Sequence, residues 1–86
     1  MLFHPLHIKG IVKNQKEEPI ADAWINILGV HIRTKIDGTF DTHLILSPED
    51  MSTDISLQVS QLGYQTHTEH VDTDLQEVTF DITLEK

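Results

Sequence analysis

Histidine is the residue type in this sequence that most favours a metal-binding site, because six histidines occur among 86 residues. Imidazole is a common ligand of transition-metal ions, and two pairs have a spacing of three, namely His4 with His7 and His67 with His70. Residues three apart on a β-strand point to opposite faces of the sheet. If these segments are strands, neither pair can hold one ion.

A cross-strand arrangement is the alternative metal site. His67 and Glu69 are two residues apart, so they share a face of one strand, and His43 from another strand could join them. A structural zinc site requires four converging ligands, which this pattern does not supply. We therefore predict no metal ligands and no cofactor, and we expect the histidines to be solvated residues on strand faces.

The serines and the carboxylates form no catalytic pattern. None of the serines lies in a Gly-x-Ser-x-Gly elbow, and the sequence has no cysteine. Carboxylate pairs such as Glu17 with Glu18 lie in predicted turns, where no burial would raise a pKa for acid catalysis. The sequence therefore predicts that the chain is not an enzyme, and a small hydrolase or a metal-binding protein is the least favoured alternative.

Trp24 is the side chain that most favours a binding role. If its neighbours Ala23 and Ile25 face the core, Trp24 and Leu28 point outward together on the opposite face. Tryptophan is a frequent hot spot of protein interfaces, and Tyr64 offers a second exposed aromatic ring. We predict that Trp24, Leu28 and Tyr64 contact a partner or a glycan. The simpler interpretation, which we favour for Trp24 itself, is that a loop such as the N-terminal "LFHP" covers the tryptophan.

Alternation of apolar and polar residues runs through the chain and predicts β-strands rather than helices. In "EVTFDITL", residues 77–84, every second residue is apolar. Similar patterns predict strands over 6–13, 23–28, 32–36, 39–46, 54–61 and 64–71. Gly10 interrupts the first strand, so we expect it under a large side chain such as Phe40 or Phe80. One helical turn is predicted in "LILSPEDM", with Ser47 as its cap.

Turn signals separate these strands about every ten residues. Among them, Asp37-Gly38 is predicted to form a two-residue type I′ hairpin between a strand that ends at Ile36 and one that begins at Thr39. A parallel sheet would need crossover helices, and none is predicted. We therefore expect one domain over residues 1–86, an all-β, seven-stranded antiparallel Greek-key β-sandwich in which two sheets bury their apolar faces against each other.

The charge balance limits the classes of partner. Six basic and fourteen acidic residues give a net charge of -8, which repels nucleic-acid phosphates and anionic lipid headgroups. No stretch of the sequence is close to the length of about 18 consecutive apolar residues that a membrane-spanning helix needs. We predict no nucleic-acid binding and no direct membrane insertion.

The order of the short motifs is similar to that of the carboxypeptidase regulatory-like domains, a family of transthyretin-like sandwiches. The motifs are "IKGIVKNQKEEPIADAWINILG", "TKIDGTF", "LGYQTHTEHVD" and "VTFDITL", and the likeness covers residues 6–84. The positions that match the family pattern are Gly10, Pro19, Ala23, Ile25, Ile27, Thr34, Asp37, Gly38, Phe40, Gly63 and Tyr64.

This resemblance implies a transthyretin/prealbumin-like fold and a role as an attached module. Such domains occur beside metallocarboxypeptidase catalytic domains and at the N-termini of many bacterial outer-membrane receptors. The related hydroxyisourate hydrolases end in Tyr-Arg-Gly-Ser, whereas this sequence ends "FDITLEK" and contains a single arginine, Arg33. We therefore expect a non-enzymatic accessory module.

That module would dock on a neighbouring domain, a partner protein or another copy of itself. A carbohydrate-binding module that uses Trp24 and Tyr64 is the alternative. The expected compartment is the cell envelope or the exterior if the chain is part of a larger family-like protein, and the cytoplasm if it is complete.

Overall fold

The computed structural model describes residues 3–86, which form two β-sheets and one short helix. The strands are β1 (His4–Asn14), β2 (Trp24–Ile27), β3 (Val30–Arg33), β4 (Thr39–Leu46), β5 (Ile55–Ser60), β6 (His67–Val71) and β7 (Glu77–Leu84). Helix α1 (Pro48–Met51) lies between β4 and β5. As predicted, Ser47 caps this helix, and its hydroxyl accepts a hydrogen bond from the Asp50 amide.

The sheets have the orders β4-β1-β7 and β3-β2-β5-β6. Side chains alternate along each strand, so each sheet presents one apolar face to the core and one polar face to solvent. The fully buried core side chains come from both sheets and include Leu6, Ile8, Val12, Ile25, Ile27, Leu57, Val59, Ile82 and Leu84. The prediction of an all-β sandwich is confirmed.

The pairing of the first and last strands differs from the prediction. β1 and β7 run parallel, with Gly10 opposite Phe80 and Val12 opposite Ile82. The prediction of a wholly antiparallel sandwich is therefore wrong at this pair. Its premise was that a parallel pair needs a crossover helix, but here the chain crosses over through the strands of the second sheet.

Gly10 lies in a crowded part of the three-stranded sheet, as its sequence context predicted. A Cβ atom at this position would lie 2.5 Å from the Phe80 carbonyl oxygen and 2.7 Å from Cζ of Phe40. Phe40 itself is buried. Only glycine fits, because the closest neighbour is a backbone atom that takes part in the sheet.

Thr34 joins the end of β3 to the segment before β2. Its hydroxyl donates a hydrogen bond to the Ile20 carbonyl at 2.6 Å and accepts one from the Ala23 amide at 2.9 Å. Thr34 is the buried polar residue within the core of the described chain. This pair of bonds fixes the backbone just ahead of Trp24, the first residue of β2.

The Asp37-Gly38 turn is not the predicted type I′ hairpin. The Gly38 amide donates to the Lys35 carbonyl and the Lys35 amide donates to the Thr39 carbonyl, which leaves three residues in the loop. Gly38 alone has a positive φ, of 80°. Asp37 instead accepts bonds from the amide and the hydroxyl of Thr39, which hold it in a negative-φ conformation.

The two-residue hairpin lies between β2 and β3. Leu28 and Gly29 have φ values of 50° and 78°, and Ile27 pairs directly with Val30. Both central residues therefore have the positive φ of a type I′ turn. The strand predicted over residues 32–36 begins earlier, at Val30, because this tight turn starts it, and it ends before the exposed Ile36.

Candidate functional site

Three metal-ligand side chains converge on the outer face of the three-stranded sheet. His7 of β1 lies directly opposite His43 of β4, and Asp41 lies two residues before His43 on the same face. We refer to His7, Asp41 and His43 as the histidine cluster. Their ligand atoms all lie within 4.8 Å of one another.

The geometry of the histidine cluster is close. Nε2 of His7 lies 2.8 Å from Oδ1 of Asp41, and Nδ1 of His43 lies 3.9 Å from the same oxygen. The two imidazole rings are stacked, with centroids 4.2 Å apart and planes 5° from parallel. His7 is partly buried, whereas Asp41 and His43 are exposed. The cluster is thus open to solvent on the side of β4, an edge strand.

A second carboxylate lies behind His7. Glu77 is the neighbour of His7 in the parallel β1–β7 pair, and its Oε2 is 3.7 Å from Nδ1 of His7. Lys9 forms an ion pair with Glu77 at 2.9 Å. The hydrogen bond from Lys9 lowers the pKa of Glu77 and raises the pKa of Lys9, so both groups are charged at neutral pH.

Two shallow cavities adjoin the histidine cluster. A groove of about 460 Å³ runs along the same sheet face and is lined by Lys9, Ile11, Lys35, Asp41 and Asp81, among others. A second groove of about 360 Å³ is lined by residues that include both histidines, Pro5 and Ile45. Each is large enough for a small molecule, so a ligand at the cluster would have space on either side.

The cross-strand site weighed from the sequence is not formed. His67 and Glu69 do share a face, with Nε2 of His67 2.8 Å from Oε1 of Glu69. His43, however, belongs to the other sheet, so it does not join them. Sequence reasoning paired His43 with the wrong strand, because strand periodicity shows which residues share a face but not which strands are neighbours.

The outer face of the four-stranded sheet has a different chemistry. Strand register and alternation place the following residues there, and we call them the tryptophan face: Trp24, Asn26, His31, Arg33, Ser56, Gln58, Ser60, Thr68 and His70. The set contains no Asp, Glu or Lys, although the chain has fourteen acidic residues. The tryptophan face is therefore a neutral to basic surface on an acidic protein.

Trp24 lies outward on this face, as predicted, and is 42% exposed. The guanidinium of Arg33 lies 3.9 Å from the ring centroid, and the His31 ring meets it edge-on at 6.3 Å. Arg33 therefore covers one face of the indole and is held in place by a cation–π interaction. The predicted "LFHP" cover is not observed: His4 lies in β1 of the other sheet, and Leu2 is outside the described residues.

The other two predicted contact residues lie apart from this arrangement. Leu28 is at the tip of the β2–β3 hairpin and is 47% exposed. Tyr64 packs partly against the core, and the Nζ atom of Lys86 lies 5.9 Å from its ring centroid. Its surroundings are a groove with Asn14 and Gln15, not Trp24.

No helix among the described residues is long and apolar enough to cross a membrane.

Fold and surface together define a small two-sheet β-sandwich with a histidine–carboxylate cluster on one outer face and a tryptophan-centred surface on the other. The sequence matches no protein-family model and no curated protein. Solved structures with the same fold include a chlorocatechol 1,2-dioxygenase from Pseudomonas putida, at TM-score 0.75 and 13% identity, with 98% of this chain and 61% of that chain covered.

A 3-chlorocatechol 1,2-dioxygenase from Rhodococcus opacus 1CP is similar at TM-score 0.69 and 15% identity, with 96% of this chain and 60% of that chain covered. The chain thus spans about three-fifths of these structures. The prediction that the chain is not an enzyme is wrong as an inference from its fold, because the same sandwich occurs within these two enzymes. At this level of identity the likeness shows the fold alone.

Proposed function

We propose that this chain is a protein-docking module whose binding surface is the tryptophan face, and that its partner presents a carboxylate-rich protein surface. The observation that carries the proposal is the composition of that face. Protein interfaces are enriched in Trp and Arg and depleted in Asp, Glu and Lys, and the tryptophan face contains Trp24 and Arg33 and none of those three residue types, within a strongly acidic chain.

The charge on this face favours an acidic partner. Arg33, the single arginine of the chain, is exposed there, with His31 and His70 on the same face. Arg33 makes its cation–π contact with Trp24, and that contact leaves its guanidinium hydrogens available. A carboxylate of the partner can therefore form a charge-assisted bond with an arginine whose position is already fixed.

Leu28 gives independent support. Left-handed backbone costs a non-glycine residue about 1 kcal/mol, and Asn is preferred over Leu in such a turn. An exposed leucine at this position therefore brings no advantage to folding. It is better explained by contact with a partner at the end of the tryptophan face.

The size of the surface sets the expected strength of binding. Four strands about 4.8 Å apart and about five residues long give a face of roughly 19 by 16 Å, or about 300 Å². Stable complexes bury about 800 Å² on each partner. The proposed docking is therefore weak between separate molecules and better suited to a neighbouring domain or to a partner held nearby.

The docking proposal is accompanied by a proposal about the family. We infer that the chain is a carboxypeptidase regulatory-like domain with a seven-stranded Greek-key arrangement of the transthyretin type. The roles of the motif residues support it: Gly10 permits the close contact with Phe40, Thr34 ties β3 to the segment before β2, and Gly38 adopts a positive φ. In this proposal the motifs are structural, and function lies in the exposed faces.

A photo-crosslinking experiment in the host cell tests the docking proposal. The residue p-benzoylphenylalanine replaces Gln58, at the centre of the tryptophan face, or Thr79, on the outer face of the other sheet, as the matched control. We expect a protein adduct from position 58 alone, mapped by mass spectrometry to a carboxylate-rich segment. Trp24→Ala should reduce its yield at least tenfold.

Three outcomes would contradict the proposal. They are the same adducts from positions 58 and 79, an adduct that Trp24→Ala leaves unchanged, and the absence of any adduct. An adduct with a second copy of this chain would replace the separate partner with a homo-oligomer, and sedimentation at increasing concentration would verify it.

The carbohydrate alternative rests on the same tryptophan. A sugar would stack on an open aromatic face, but Arg33 covers one face of Trp24, and Tyr64 lies in a separate groove. The two rings therefore do not form one platform. Binding on a glycan array that is lost in Trp24→Ala would favour the glycan over the protein partner.

A further inference from the structure

We propose that the histidine cluster binds one divalent transition-metal ion, with nitrogen ligands from His7 and His43 and an oxygen ligand from Asp41. Two imidazoles and one carboxylate form a ligand set that suits ions such as Zn²⁺ and is poor for Mg²⁺, which prefers an all-oxygen shell. The site does not depend on the docking proposal, because it lies on the other sheet.

The separations of the ligand atoms are already close to those of a zinc site. Ligands of a tetrahedral zinc ion lie about 2.0–2.1 Å from the metal and hence about 3.3 Å from one another. The pairs of ligand atoms recorded in the cluster are 2.8 Å and 3.9 Å apart, and none exceeds 4.8 Å. The backbone need not move, because cross-strand neighbours already set this spacing.

One imidazole must rotate when the ion binds. A ring nitrogen coordinates along a direction in the plane of its ring, and the planes of His7 and His43 are nearly parallel, at 5°. An ion cannot lie in both planes at once, so the stacked pair has to open. His43 is the residue that moves, because it is exposed on an edge strand whereas His7 is held between Asp41 and Glu77.

Glu77 is placed to supply the outer support that metal-binding histidines usually have, once its carboxylate moves closer to the His7 ring. If Nε2 of His7 binds the ion, Nδ1 carries its proton and donates it toward Glu77, whose Oε2 is 3.7 Å away. Lys9 holds that carboxylate in place. Three protein ligands leave at least one coordination position open, and the grooves beside the cluster provide space there for water or a small ligand.

Titration calorimetry of the untagged protein with ZnCl₂ tests this proposal, with MgCl₂ as the control ion. We expect one Zn²⁺ per chain and no binding of Mg²⁺. His7→Gln, His43→Gln and Asp41→Asn should each weaken Zn²⁺ binding at least tenfold, and Glu77→Gln about tenfold through the outer shell. The matched control is His67→Gln, which breaks another His–carboxylate pair, and it should change the affinity less than twofold.

Proton NMR of the imidazole rings gives a second measurement that does not depend on affinity. Zn²⁺ should shift the ring signals of His7 and His43 and leave those of His31, on the opposite sheet, unchanged. Circular dichroism confirms that each variant is folded. The proposal is overturned if Zn²⁺ does not bind, if all cluster variants bind it as tightly as the parent, or if His67→Gln weakens binding as much as His7→Gln.

Discussion

Removing the hydroxyl of Thr34 should destabilise the sandwich strongly even when the size of the side chain is kept. Thr34→Val keeps the shape of the side chain but leaves the Ile20 carbonyl and the Ala23 amide without their recorded partner. An unsatisfied buried polar group costs about 1–3 kcal/mol, so the two together should lower the free energy of unfolding by about 3 kcal/mol. A domain of this size has roughly 4–13 kcal/mol in total.

Thr34→Ser is the matched comparison, because serine keeps the hydroxyl and removes only the methyl group. Its expected cost is about 1 kcal/mol, from the loss of one buried carbon. The difference of about 2 kcal/mol between the two variants therefore measures the hydrogen bonds and not the packing. The valine variant should also disturb Trp24, since Ala23 immediately precedes it.

Urea denaturation provides the measurement. Fluorescence of Trp24, the single tryptophan, reports on the site, and far-UV circular dichroism reports on the sheets as a whole. With a slope of about 1–1.5 kcal/mol per molar urea, Thr34→Val should unfold at a midpoint about 2 M below that of the parent. If the valine and serine variants unfold within about 0.5 kcal/mol of each other, the hydroxyl does not have the role that its geometry indicates.

Three further predictions concern other parts of the molecule. Gly10→Ala should cost about 3 kcal/mol in the same assay through its contact with the sheet backbone, against about 1 kcal/mol for Gly63→Ala, which meets no neighbour within 4 Å. Leu28→Asn should raise the free energy of unfolding by about 0.5–1 kcal/mol by relieving the positive φ, while lowering the crosslinking yield from position 58. Folding lowers the pKa of Asp37 from 3.8, through its hydrogen bonds with Thr39, and the pKa of Glu77 from 4.5, through its hydrogen bond with Lys9. The stability that these two groups contribute is fully present above those values and is lost as the pH falls through their lower pKa values in the folded state. The urea midpoint should therefore decrease as the pH is lowered from about 5 to about 3.

The strands and the core were accessible from the sequence because they depend on local alternation. β4 and β7 begin and end where the pattern predicted, and the side chain of Phe40 covers Gly10 as expected, whereas Phe80 meets it through its backbone carbonyl. The parallel pairing of β1 with β7 was not accessible. Alternation records which side of a strand is apolar, and it carries no information about the direction of a neighbouring strand.

The Asp37-Gly38 turn shows a second limit. An Asp-Gly pair is the usual signal for a two-residue hairpin, but Thr39 offers Asp37 two hydrogen bonds that favour a three-residue loop. The real two-residue hairpin is at Leu28-Gly29, where leucine gives no turn signal. Turn-forming residues in the sequence therefore predicted where loops occur. At Asp37-Gly38, the side-chain hydrogen bonds with Thr39 determine which type of turn forms.

The histidine cluster depends on register between residues far apart in the chain. His7 and His43 meet only because β1 pairs with β4 in one register, and a shift of one residue would turn His43 to the other side of the sheet. The available signal was Asp41-x-His43, a spacing of two that places both ligands on one strand face. A search for ligands at this spacing would have identified two of the three ligands, and the third required the fold.

The two outer faces of the sandwich separate two kinds of surface chemistry. On the three-stranded sheet, Lys9 and Lys13 pair with Glu77 and Asp81, so most charges there are already compensated within the face. On the four-stranded sheet, Arg33 faces no carboxylate among the residues of the tryptophan face. Because an uncompensated charge is the one available to an incoming molecule, we propose docking at the tryptophan face. The metal ion that we propose for the other sheet instead needs converging ligands, which the histidine cluster provides.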